Sequence, residues 1–311
     1  MVSTFLQVAE LWISRAERLG LHSGSYGQHS PLRGLSADLR FELGEGFVGS
    51  VWSSQKPLVA RSIEHTHVTR IKASDRPSLD SALGIPIAAG GRSTHAVMAL
   101  LCGHPDARGG CIERWDMDDE CQELRHSCGY YGELLPFAQL SPHLRFGMGN
   151  GLPGQTAKRG VPTILEDVRR AGTFLRAEIA RECGLAMGLG VPVYRQGRVA
   201  HVLLLLSAES CPLARAVEVW LPAQSDALKL DQASYTRGLD DFAGMSRALR
   251  VRSGEDIVGL AYRSEMPVIC TSLEAQQFTR AEAARAAGLE VALAIPIHDG
   301  RNVVAVLVLC N

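Results

Sequence analysis

The residues with the most chemical potential in this 311-residue chain are eight cysteines, at positions 102, 111, 121, 128, 183, 211, 270 and 310. Four of them fall between Cys102 and Cys128, with His104 and His126 close by. Thiols and imidazoles in one stretch suggest a metal site or thiol chemistry, but no pair has the two-to-four-residue spacing of a zinc ribbon. Scattered small hydrophobic residues are the better reading. Asp116, Asp118, Asp119 and Glu120 form an acidic run without the spaced loop and turn glycine of a calcium site, and read as a solvated loop. The histidines recur at no equivalent positions, and no Ser/His/Asp or Cys/His set can be assembled, so catalysis is not expected.

A Gly-x-Gly-x-x-Gly pattern occurs twice, at Gly44–Gly49 and Gly149–Gly154, with Glu64 and Glu166/Asp167 further on. In a dinucleotide site such glycines open a crossover helix a dozen or more residues long, leading to a parallel strand. Here Pro162 follows Gly154 after only seven residues, and a third version carries Asp256 at the second glycine. The expected role is a backbone turn that needs positive φ.

The same turns reveal the organisation. They recur at a spacing of 105 residues (Gly44, Gly149, Gly254), as do the prolines that follow (Pro57, Pro162, Pro267). Glu-x-Trp precedes each turn, at Glu10/Trp12, Glu113/Trp115 and Glu218/Trp220. Ile-Pro-Ile or Val-Pro-Val follows, around Pro86, Pro192 and Pro296, and then a Gly-Arg turn at Gly91, Gly197 and Gly300. Five features kept in order three times mean triplication. The expected units are 1–104, 105–210 and 211–311, with the first the most divergent. The repeated tryptophans are expected in the core.

Within one unit the pattern predicts α+β architecture: a mostly antiparallel sheet with two or three short helices packed on it. In the third unit, strands are expected over 216–221, up to 251, and over 267–271. Thr279–Glu282 reads as a capping box and Gly288 as a helix stop. Asp299-Gly300 reads as the turn of a hairpin joining 291–298 to 303–310. In the second unit Leu175, Ile179 and Cys183 form one helical stripe, and in the first the helix is expected within 65–81.

Composition narrows the classes. A net charge of −1 provides no field for nucleic acid or an anionic membrane, and no apolar run is long enough to span a bilayer. The opening residues show neither a basic region nor a long apolar run, so a reduced compartment, cytoplasm or organelle stroma, is expected.

The order of these motifs, above all Gly149–Val168 (GNGLPGQTAKRGVPTILEDV), resembles the GAF family over nearly the whole chain. The resemblance implies a sheet whose covering helices enclose a small-molecule pocket, or a module for dimerisation and interaction. The Asn-Lys-Phe-Asp-Glu set of cyclic-nucleotide binders is not found, and Cys183 precedes Gly184 rather than the usual His of bilin attachment. No cofactor is implied. If a unit keeps a pocket, the second is expected to, with Asp167, Phe174, Arg176, Cys183 and Tyr194 as its residues. Joints of about eight residues reach at most roughly 28 Å, which favours a compact body over a helical relay. Three functions remain open: a non-catalytic sensory or regulatory protein binding a small molecule or a protein partner; a scaffold with filled pockets in a larger assembly; and a thiol-dependent enzyme of the methionine sulfoxide reductase type.

Overall fold

The computed structural model describes residues 3–66, 79–88, 94–104, 107–223, 226–273 and 278–311. The first unit runs β1 (Leu6–Arg15), β2 (Arg18–Ser25), α1 (Pro31–Asp38), β3 (Arg40–Phe41), α2 (Gly46–Ser54), β4 (Leu58–Ala60), β5 (Ser81–Ile87) and β6 (Ala96–Cys102). The second has β7 (Gly110–Asp118), β8 (Glu123–Tyr130), α3 (Leu135–Leu140), β9 (Arg145–Gly147), α4 (Gly151–Arg159), β10 (Thr163–Leu165), α5 (Ala177–Glu182), β11 (Leu185–Arg195) and β12 (Arg198–Ala208). The third has β13 (Ala216–Pro222), β14 (Ala227–Tyr235), α6 (Asp240–Ala248), β15 (Arg250–Arg252), α7 (Asp256–Ser264), β16 (Val268–Cys270), α8 (Ala281–Ala286), β17 (Ala292–His298) and β18 (Val303–Cys310).

Each unit forms one six-stranded sheet of the same order, β3-β2-β1-β6-β5-β4 in the first, and every described strand pair is antiparallel. A parallel nucleotide-binding sheet is thereby ruled out for the glycine turns. The register shifts at the same place in all three, between Leu11/Trp12, Arg114/Trp115 and Val219/Trp220. This repeated bulge locates each tryptophan identically on its sheet.

The central strands of every sheet are buried on both faces. On β12, Val202, Leu204 and Leu206 face the helices of their own unit, while Leu203 and Leu205 join a core built from all three sheets. Burial on both sides explains why these strands read as unbroken apolar runs rather than as alternation. The central core closes in a ring: β4 packs on β7 and β8, β10 on β14, and β16 on β2. Polar links reinforce the seams. Arg114 Nη1 donates to Pro57 O at 2.8 Å, Gln232 Oε1 accepts the Ile164 N–H at 2.8 Å, and Arg159 meets Asp231 at 2.6 Å. The joints 103–109 and 209–215 are as short as expected.

The glycine turns are backbone devices. Gly44, Gly149 and Gly254 sit at φ of 85°, 86° and 84°, and Gly46, Gly151 and Asp256 at 60°, 60° and 55°. Asp tolerates this region because its short side chain can bond locally; here its Oδ1 accepts the Val258 N–H at 3.3 Å and its Oδ2 the Thr279 N–H at 2.9 Å. The third glycine is needed for a different reason. A Cβ at Gly154 would lie 2.1 Å from Gly147 O, a backbone atom that cannot move aside.

Several expectations are corrected. The stretch before Tyr235 is a full strand, β14, followed by helix α6, neither of which was predicted. One face of β14 is only half-buried, so its apolar alternation is faint. Thr279–Glu282 makes no capping box: α8 starts at Ala281 without a side-chain cap, because the Thr279 N–H is already given to Asp256. Leu175 precedes α5 and is 65% exposed, so it does not share a buried stripe with Ile179 and Cys183. The helix expected within 65–81 falls largely on 67–78, outside the described residues. Gly288, at φ 67°, does end its helix, and β17 and β18 do form a hairpin.

Gly154→Ala is expected to cost about 2 kcal/mol or more, since backbone must shift to admit the methyl. Gly244→Ala, inside α6 with nothing within 4 Å, is expected to add roughly 0.5–1 kcal/mol through helix propensity. Chemical denaturation of both variants checks the contrast.

Candidate functional site

Between each sheet and its helices lies the space where a pocket was expected. In the second unit it is occupied by a buried ion pair. Glu113, on β7 and fully buried, receives the Arg176 guanidinium in a forked contact, Nη1 to Oε1 at 2.6 Å and Nη2 to Oε2 at 2.9 Å. Trp115 Nε1 donates to Oε2 at 3.0 Å, Tyr131 OH to Oε1 at 3.0 Å and Ser141 Oγ to Oε1 at 2.6 Å. The guanidinium carbon lies 4.7 Å from the Phe137 ring centre, 5.4 Å from that of Phe174 and 5.8 Å from that of Trp115. Aromatic faces thus surround the cation where the carboxylate does not.

The third unit repeats the arrangement. Arg280 Nη1 reaches both oxygens of Glu218, at 2.7 and 2.9 Å, and Ser246 Oγ at 2.6 Å. Trp220 Nε1 and Tyr235 OH each donate to the same carboxylate at 2.9 Å. Phe242 and Phe278 flank the cation at 4.6 and 5.0 Å. In the first unit Glu10 accepts Trp12 Nε1 at 3.2 Å and Ser36 Oγ at 2.6 Å. The stretch that corresponds to the arginine segment there lies among 67–78, outside the described residues.

This geometry leaves Glu113 nothing to do as an acid or base. Burial by itself would raise its carboxyl; the Arg176 charge and the bonds from Arg176, Ser141 and Trp115 outweigh that and hold it below its ordinary value of 4.5. It therefore carries no proton to give, and its lone pairs are already committed to donors. Burial acts on several of the thiols as well. Burial pushes Cys102, Cys111, Cys183 and Cys310 upward, so the nucleophilic thiolate is disfavoured. Of the eight cysteines, all free, Cys121 is the exposed one. Among the described residues no three His, Cys, Asp or Glu side chains are arranged to hold a metal ion.

A curled six-stranded antiparallel sheet, covered on one face by short helices of which one begins at a glycine turn, is thus present three times. Each of the three units is similar in fold to GAF domains. No protein-family model matches the sequence, and no curated protein matches it. Among solved structures it is similar to the GAF domain of a phosphoenolpyruvate-protein phosphotransferase from Coxiella burnetii, at 23% identity and TM-score 0.28, over 34% of this chain and 59% of that one. It is also similar to the nlh2 GAF domain of A. aeolicus, at 19% identity and TM-score 0.27, over 32% and 58%. A third is the free methionine-R-sulfoxide reductase of Neisseria meningitidis, at 18% identity and TM-score 0.26, over 34% and 55%. The chain spans less than two thirds of the length of each of these structures.

The five residues assigned to a pocket in the second GAF-like unit separate in space. Phe174 and Arg176 meet in its interior, one ring beneath the cation. Cys183 packs at the edge of the same cluster. Asp167 lies outside it, bonded by Arg169 at 2.8 and 3.0 Å, which with the Arg169 N–H holds its carboxyl low. Tyr194 is on the opposite face of the sheet, packed on the central core, its hydroxyl donating to Gly160 O at 2.8 Å. The members not foreseen, Glu113, Ser141, Glu218, Ser246 and Arg280, nevertheless left a signal. Ser36, Ser141 and Ser246 recur at a spacing of 105, and Phe174-x-Arg176 recurs as Phe278-x-Arg280.

Breaking the pair by Arg176→Met is expected to cost roughly 3–5 kcal/mol, because Glu113 is left buried and uncompensated. The double variant Glu113→Leu/Arg176→Met is expected to recover part of that loss. The pH response reverses sign. In the wild type the depressed Glu113 contributes stability above its ordinary range, which is lost as pH falls through the folded value. In Arg176→Met burial dominates and raises the carboxyl, so the variant gains stability on acidification from pH 7 where the wild type does not. Denaturation midpoints across pH 4–7 measure this.

Proposed function

We propose that the chain is a non-catalytic GAF-type regulatory protein that acts by binding, with the interiors of its second and third units serving as closed scaffolding. The observation that carries this reading is the ion pair itself: in both units the space between sheet and helices holds Glu, Arg and three aromatic rings at contact distance. The carboxylate bonds each guanidinium and aromatic rings pack on it, while among the described residues Arg176 Nε and Arg280 Nε and Nη2 take no hydrogen-bond partner. A ligand entering there would have to displace the pair.

A role without turnover is supported by the state of the candidate groups. The carboxylates are saturated and the buried thiols are held protonated. Binding of a protein partner is the natural output of a body whose covering helices face outward. Leu135 and Leu175, 59% and 65% exposed, stand at the ends of that layer in the second unit. The joined, closed ring suits an assembly component better than a relay between distant domains.

Two measurements test the reading. Trp12, Trp115 and Trp220 have no exposed surface, so a Trp52→Phe variant is expected to resist acrylamide quenching almost completely; quenching near that of free indole would mean open interiors. Free methionine-R-sulfoxide with dithiothreitol is expected to be consumed no faster than in buffer. Consumption that disappears in Cys121→Ser or Cys183→Ser would overturn the non-catalytic assignment.

A further inference from the structure

The three Ile/Val-Pro-Ile/Val strands converge on the axis of the ring and line a cavity of about 550 Å³. Pro86, Pro192 and Pro296 all lie two residues beyond the last pairing of the short edge strand, at Gly84, Gly190 and Ala294. Past that point the sheet edge has no partner strand, and a proline there leaves no N–H to be orphaned. The same prolines make these edges poor acceptors of an added peptide strand. The wall they form is apolar side chain and carbonyl, suited to a small molecule.

The threefold pattern breaks at one position. Tyr194 and His298, each two residues after its proline, reach across to the residue that ends the glycine-turn helix of their unit. Tyr194 OH donates to Gly160 O at 2.8 Å, and His298 Nε2 lies 3.3 Å from Glu265 O. The equivalent residue in the first unit is Ala88, which has no side chain to span the gap to Gln55. Ala88 and Gln55 both line the cavity, whereas Gly160 and Glu265 do not. Among the described residues, no side chain closes this third gap as Tyr194 and His298 close the other two.

Two arginines stand among the polar groups that line the cavity, with Gln55, Thr94, Tyr194, Gln196 and His298. Arg195 and Arg301 are exposed beside the hairpin turns at Gly197 and Gly300 and line the cavity, and among the described residues neither is ion-paired. His298 also lines it, with Nδ1 buried and unpartnered. The nearby Asp299 carboxylate is engaged by the backbone N–H groups of Arg301 and Asn302, at 2.7 and 2.8 Å. From the apolar floor and cationic mouth we infer that this axial cavity is a binding site for a small monocarboxylate with an apolar body. The carboxylate meets Arg195 and Arg301, and the body lies against the proline strands towards Ala88. The site belongs to no single unit and exists only because the ring is closed, so it goes beyond the function proposed above.

Titration calorimetry of the full chain with 4-phenylbutanoate and its neutral amide tests the inference. One carboxylate is expected to bind per chain, at least tenfold tighter than the amide. Arg195→Ala/Arg301→Ala, both on exposed side chains, is expected to abolish that preference while circular dichroism and Tm stay at wild-type values. Ala88→Tyr, which plugs the third gap, is expected to lose both ligands; Ala88→Leu serves the same purpose if the tyrosine disturbs folding. The assignment is overturned if the wild type binds neither compound, if it does not distinguish them, if the arginine variant keeps the preference, or if a folded, plugged variant binds as tightly as the wild type.

Discussion

The structure depends on a charge that is never allowed to see water. In both the second and third units a glutamate on the central strand and an arginine just before the last helix neutralise one another in the space between sheet and helices. Neither ion tolerates burial alone. Each therefore dictates what must surround it: an indole and a phenol on the carboxylate, a serine hydroxyl accepting from the guanidinium, and phenylalanine faces on that cation. The β-bulge before each tryptophan belongs to the same requirement, since it holds the ring in the same place in every unit.

With the interiors of the second and third units sealed in this way, the remaining apolar surface is the other face of the sheet. Three such faces cannot remain in water, and joints of a few residues allow no wide separation. Closing them into one ring buries all three against each other. Cooperation between the units follows from this shared core: the central cluster takes residues from every sheet, so no unit can leave the ring without exposing it. The polar seams, Arg114 to Pro57 and Ile164 to Gln232, fix how the sheets meet without adding a large share of the stability.

Triplication followed by divergence explains how one protein carries both sealed and open spaces. Positions held alike, such as the glycine that touches backbone and the glutamate beside tryptophan, serve the unit. Positions that differ, Ala88 against Tyr194 and His298, lie at the axis, where the copies see different neighbours. Variation there changes the shape of a shared space without disturbing any single core.

The sequence alone determined the repeat, the antiparallel units and the burial of the tryptophans, because those follow from local spacing: a turn glycine, a proline and a short apolar run each have their own pattern. Strand β14 and helix α6 were not legible, since a half-exposed strand carries little apolar contrast. The tertiary structure decided the rest. That Glu113 and Arg176, 63 residues apart, form one forked pair is a long-range contact with no local signature beyond its repetition. That Tyr194 belongs to the axis and Phe174 to the interior depends on which face of the sheet each side chain takes, and burial on both faces erased the contrast that would have told them apart.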